Sequence, residues 1–147
     1  MMTIEEYVKL HRGCRREVAD VMLRRLPEAV ALWRSEQVEP QGRLQSSVIT
    51  IDEVSGFVSI NSGDDKSVTD ADDVKDYGAL IAELSVLLPK PDRRISMFAD
   101  ACRRGDYSSI GDVMLAVERR KSGNIYWYLL GVIVLLLVLL VILNRYT

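Results

Sequence analysis

Histidine is almost missing from this chain. His11 is the only one in 147 residues, which removes the multi-histidine centres of most zinc sites. Cysteine is nearly as scarce. Cys14 and Cys102 stand far apart, so neither a paired-thiolate metal site nor a disulfide framework is spelled out. No Gly-x-Ser-x-Gly elbow, P-loop or Gly-x-Gly-x-x-Gly turn occurs, and with them go the familiar signatures of acyl transfer, nucleotide hydrolysis and dinucleotide binding. The expectation is a chain without catalytic residues, cofactor or metal. A surplus of positive charge is also lacking: 19 Lys and Arg stand against 21 Asp and Glu, which argues against general affinity for nucleic acid. The opening Met1-Met2-Thr3-Ile4-Glu5-Glu6 has neither the basic region nor the apolar run of a signal peptide.

What the chain does have is one long uncharged run. Residues 125–143 carry no charge, and 129–143 are Leu, Val or Ile throughout except Gly131. At ~1.5 Å per residue such a helix covers roughly 28 Å, close to the hydrocarbon thickness of a bilayer. The run reads as a transmembrane helix, with 144–147 as a short tail and 122–124 as a hinge before it. Translation would end almost as the span emerges, the situation of a tail-anchored protein. Arg119, Arg120 and Lys121 precede the span and only Arg145 follows it, an imbalance that places the N-terminal side in the cytoplasm. Tyr126, Trp127 and Tyr128 suit the headgroup level on that side. The very apolar span and single terminal Arg lean towards the endoplasmic reticulum rather than the mitochondrial outer membrane.

Residues 1–121 suffice for one domain. Its charge is uneven: six Asp and two Lys fall in 64–76, whereas 90–121 hold eight Lys and Arg against five acids. The basic stretch adjoins the membrane, where lipid attraction is available, but for 90–104 an ordinary mixed-charge helix surface is the preferred reading. The acidic stretch 61–73 reads as a loop. A calcium reading fails on ligands, since Val74 and Ile81 stand where the fifth and twelfth positions need oxygen donors.

Periodicity divides the domain into about five helices and a hairpin. Thr3-Ile4-Glu5-Glu6 spells a capping box, and Tyr7, His11, Cys14, Val18 and Val21 then trace one helical stripe to about Arg25. Cys14 and Cys102 read as small buried thiols, and His11 as packing beside Tyr7. Pro27 is placed at the start of a second helix, with Val30 and Trp33 inward. The β-branched runs at 48–51 and 57–60 form a β-hairpin around 52–56. A third helix covers about 72–88, capped by Thr69 or Asp70. Its exposed carboxylates, Asp72 and Asp76 among them, are expected to be solvated. Asp92 caps a fourth helix that Gly105 stops. Asp106 caps a fifth, with Tyr107, Ile110, Val113, Met114 and Val117 inward. Arg104-Gly105-Asp106 matches an adhesion tripeptide, but a helix end, a C′ glycine and the next cap account for it.

One segment carries a sharper signal. Tyr107-Ser108-Ser109-Ile110-Gly111-Asp112-Val113-Met114 sets apolar groups on one stripe around a Gly-Asp pair. It resembles the Bcl-homology-three motif of the Bcl family of apoptosis regulators. Ile110, Gly111, Asp112 and Met114 match in type and spacing, whereas Tyr107 replaces the usual Leu. Arg103 occupies the preceding anchor position, and no Asn-Trp-Gly-Arg groove signature occurs. The resemblance implies a helix that docks in a partner's groove through Tyr107, Ile110, Gly111, Asp112 and Met114, with Bcl-family proteins as partners. The plainer reading, an amphipathic helix burying Ile110, Val113, Met114 and Val117 in its own domain, is preferred. Residues 95–118 also look like the closing helices of death-fold adaptor domains, which would imply self-assembly.

The sequence thus describes a mainly α protein: a small helical bundle with a possible β-hairpin, plus one C-terminal transmembrane helix. The expected role is that of a non-catalytic adaptor or regulator, with the lipid bilayer and proteins at the membrane as partners. A Bcl-type apoptosis regulator is the alternative, and a viral-type small membrane protein the second alternative.

Overall fold

A computed structural model describes residues 1–61 and 63–146, and every side chain among them except those of 121–124. Strand β1 (Met2–Thr3) leads directly into α1 (Ile4–His11), whose capping box forms as the sequence predicts. The Glu6 amide donates to Thr3 Oγ1, and the Thr3 amide to the Glu6 carboxylate. Helix α1 then stops early. Arg12 adopts a left-handed conformation (φ 50°), and α2 (Arg16–Ser35) begins four residues on. The single helix expected to run to Arg25 is therefore two. Tertiary bonds hold the break: the Cys14 amide donates to Leu87 O at 3.0 Å, and the Arg15 amide to Tyr7 Oη at 3.3 Å. Gly13 lets the strand of chain approach Leu87, whose carbonyl would lie only 3.3 Å from an added Cβ.

Pro27 opens no new helix but lies inside α2, where it is buried. It has no N–H to give to the Leu23 carbonyl one turn back. The fully buried Tyr77 supplies the substitute, its hydroxyl donating to Leu23 O at 2.7 Å. Tyr77→Phe is therefore expected to cost about 1–3 kcal/mol, the penalty for a buried acceptor left without a donor. Adding Pro27→Ala restores the amide and should recover most of that loss. Denaturant titration of the four variants in a double-mutant cycle reads the coupling directly.

The hairpin forms from β2 (Ile49–Ile51) and β3 (Val58–Ile60), with Ile49 opposite Ile60 and Ile51 opposite Val58. Its turn is fastened by Asp52, which accepts from the Val54 amide and the Ser55 hydroxyl. The sequence did not show β1, which adds as a third antiparallel strand beside β2. Ile49, Ile51 and Val58 are buried, and Gly56 sits against Val21 of α2, so the small sheet finds the support an isolated hairpin lacks.

Helix α3 (Asp70–Val86) begins before the expected position, capped by Thr69, so 70–73 belong to the helix rather than to the acidic loop. The 66–68 part of that loop is not free chain. Ser67 bridges to Gln41, Gly42 N–H donates to Lys66 O, and Val68 is buried. Asp92 caps α4 (Arg93–Arg104), and Gly105 ends it in the left-handed conformation (φ 85°). Helices α3 and α4 meet closely through Gly78, Ala99 and Cys102. Burial pushes the thiol of Cys14 up to about 11 and that of Cys102 to about 12, which keeps both protonated and unreactive at neutral pH.

The last helix, α5 (Ile110–Tyr146), starts later than expected, with the Asp112 amide on Ser109 Oγ. Asp106 does not cap it, and Tyr107 precedes it. Its backbone is helical through 122–124. The chain divides into two compact units, Met1–Met114 and Leu115–Thr147. Among the described residues α5 is the one helix long and apolar enough to cross a membrane. Among the described residues the chain is mainly helical, with five helices and one three-stranded sheet.

Candidate functional site

Ile110 and Val113 are buried, and Met114 is half-buried. Tyr107 lies before the helix, its ring 5.6 Å from that of Phe98. Residues 107–114 are thus not one continuous helical stripe, and their central apolar anchor is already used inside the domain. Gly111 is exposed. The Asp112 carboxylate accepts from the Ser108 hydroxyl, and this bond holds its pKa below the ordinary value. An arginine of a groove would compete with Ser108 for it.

The residues expected at a membrane interface are placed differently. Arg119, Arg120, Tyr126, Trp127 and Tyr128 are all exposed on α5; the side chain of Lys121 lies outside the described residues.

The most developed polar arrangement was not among the sequence expectations. Arg34, near the end of α2, forms a bidentate pair with Asp73 of α3: Nε to Oδ2 at 2.9 Å and Nη2 to Oδ1 at 2.7 Å. Its remaining N–H groups reach Gln37 Oε1, Gln41 O and Gly42 O at 2.6–2.8 Å. All five guanidinium hydrogens are engaged, as the fixed fork of arginine allows. Asp73 is buried, so the pair is largely removed from water. Beside it Arg43 makes a second bidentate pair with Asp76, at 2.6 and 2.8 Å, and lies 3.8 Å from Asp72. The hydrogen bonds it donates to Asp76 raise the Arg43 pKa still further. Asp72 and Asp76, expected as solvated helix charges, are therefore a cap and an ion-pair partner. The chemistry here is clamping rather than catalysis: two arginines tie the 37–44 segment to the start of α3.

A sequence signal for this clamp does exist. Arg34 extends the buried Leu26–Val30 stripe by one further turn, and Asp73 precedes Tyr77 and Ile81 on theirs. Opposite charges at the open ends of two buried stripes are unlike ordinary surface residues.

The fold also sorts charge along the helices. The 12–16 link lies against the α3–α4 turn through Cys14 N–H on Leu87 O and an Arg16–Asp92 pair at 2.7 Å. Arg12, Arg15, Arg16, Lys90, Arg93 and Arg94 thus gather at one pole of the domain, all exposed. The opposite ends of α2 and α3, about 25 Å away along a 17-residue helix, carry exposed Glu36, Glu39 and Asp70. Comparison of the chain with protein-family models, with curated proteins and with solved structures gives no match.

Proposed function

We propose that this chain is a single-pass membrane protein whose Met1–Met114 unit acts as a non-catalytic adaptor or regulator for proteins at the membrane surface. The observation that carries the reading is the surface of α5. Its fourteen Leu, Val and Ile side chains from Leu129 to Leu143 are each 46–66% exposed, on every side of the helix. So large an apolar surface is stable in lipid and not in water. Anchoring confines the folded unit to a thin layer and raises its effective concentration for other membrane-bound proteins. The basic residues before the span favour a cytoplasmic domain, and the apolar span favours the endoplasmic reticulum.

Burial of Ile110 turns the reading away from a groove-docking helix at 107–114. A Bcl-type contact there requires that segment to leave its own domain. The role is tested by crosslinking the full chain in living cells and identifying attached proteins, beside a form lacking 125–147 expressed at equal level. Membrane-resident partners are expected, with recovery that falls sharply when the span is deleted. Equal recovery of the same partners without the span would refute adaptor action at a membrane. Capture of Bcl-family proteins, lost on Gly111→Glu with the fold intact, would shift the reading to apoptosis regulation.

A further inference from the structure

We infer that the basic pole of the Met1–Met114 unit is a docking surface for anionic lipid headgroups. The inference rests on the reading of α5 as a membrane span and names a contact that reading does not contain. Two segments about seventy-five residues apart in sequence build the surface: Arg12, Arg15 and Arg16 from the α1–α2 link, and Lys90, Arg93 and Arg94 from the α3–α4 turn. Their juxtaposition is fixed by the Cys14–Leu87 backbone bond and the Arg16–Asp92 pair.

The cations are underpaired. Asp92 is engaged by Arg16 and by the cap of α4, Asp20 by Arg16 as well, and Glu53 lies 4.0 Å from His11, so Glu17 on α2 and Glu83 near the end of α3 are the acids left to offset the other five cations. Among the described residues Arg12, Arg15, Lys90, Arg93 and Arg94 form no ion pair, in contrast to the clamped arginines at the other pole. Arg93 and Arg94 moreover occupy the first turn of α4, which has no acid there. Positive charge at that end opposes the helix dipole, so helix stability does not account for them.

The same pole exposes apolar groups. Val86 is 83% exposed and lies with Pro91 and Arg93 along an open groove of about 440 Å³ between α3 and α4. Cations surrounding a few exposed apolar side chains suit the headgroup layer, where the charges meet phosphate and carboxylate and the apolar groups reach towards the acyl boundary. The acidic ends of α2 and α3 are repelled by the same surface, so the charge separation favours one orientation. A domain tethered by a span never leaves the vicinity of the bilayer, and a weak, salt-sensitive attraction is then enough to orient it. A second copy's acidic pole is the competing occupant. It is disfavoured because Asp72, Asp73 and Asp76 there are already held by Arg34 and Arg43, which leaves Glu36, Glu39 and Asp70 to face a partner.

The test uses the full chain in nanodiscs holding one copy each, of phosphatidylcholine alone or with a third of the lipid replaced by phosphatidylserine. Phenylglyoxal footprinting with mass spectrometry reads the modification rate of each arginine. Arg12, Arg15, Arg93 and Arg94 are expected to react about threefold more slowly or less in the anionic discs, with high salt abolishing the difference. Arg24 and Arg25, outside the pole, should be unaffected. A combined Lys90→Glu, Arg93→Glu, Arg94→Glu variant should keep its melting transition, since acids suit a helix start, and lose the protection of Arg12 and Arg15. Should that variant not fold, the salt reversal in the unaltered chain still decides. Equal rates in both discs would overturn the inference while leaving the span intact. Protection that appears only in crowded phosphatidylcholine vesicles would overturn it in favour of a second copy. Failure of the chain to enter discs at all would overturn the span, and this inference with it.

Discussion

Arg34→Ala is expected to destabilise the domain by about 3–5 kcal/mol, because it leaves the Asp73 carboxylate buried without its partner. The side chains are only 12% and 4% exposed, so water cannot replace the guanidinium. The loss reaches beyond the pair, since Gln41 O and Gly42 O also lose their donors and the 37–44 segment is released from α3. Arg34→Lys keeps the charge but not the fork, and should recover only part of the stability. Arg34→Met combined with Asp73→Leu removes both charges and should be milder than Arg34→Ala alone. Urea unfolding of the full chain in nonionic detergent, followed by circular dichroism, measures all three. A loss below about 1 kcal/mol for Arg34→Ala would place the pair with ordinary surface ion pairs.

The second large effect is expected at Gly78. A Cβ there would stand 2.7 Å from Cys102 Cβ and 2.9 Å from Ala99 O, and neither neighbour is the far end of a flexible chain. Gly78→Val should therefore force α3 and α4 apart at a cost of about 3 kcal/mol or more, at the upper end of overpacking penalties. Gly78→Ala would add roughly 1 kcal/mol of helix propensity at an open site, yet here it should still be destabilising. Ala79, next in the chain and exposed, provides the control: Ala79→Gly should lose only about 1 kcal/mol. A stabilising Gly78→Ala would show that the two helices are not in close contact at this point.

Local signals were readable from the residues alone. The caps at Thr3 and Asp92 depend on side chains within one turn, the stop at Gly105 on its own left-handed backbone, and the apolar run of α5 depends on nothing outside itself. Features made by distant partners were not readable. The α1–α2 break was hidden because Tyr7, Cys14 and Val18 remain inward on both sides of it, so the stripe continues while the helix does not. Pro27 reads as a boundary because the hydroxyl that relieves its missing amide comes from Tyr77, fifty residues later in the chain. Strand β1 is two residues long and exists only as a partner to β2. The segment 107–114 fits two readings with one pattern. Its types and spacing fit a docking motif, but spacing is silent on whether Ile110 faces a partner or its own core, and the fold buries it. The arginine clamp leaves a trace in the charges that end two buried stripes, but which of them pair, and that the basic pole assembles at all, depends on contacts across α2, α3 and α4 that single-segment patterns do not carry.

The account turns on α5 being a bilayer span that holds a folded domain at a membrane. Alkaline carbonate extraction of membranes from cells expressing the full chain, beside a form lacking 125–147, tests it most directly. The full chain should remain in the pellet, while the shortened form should stay in the soluble fraction with an intact cooperative unfolding transition. Release of the full chain by carbonate would mean that α5 does not cross the bilayer, and the account would fall.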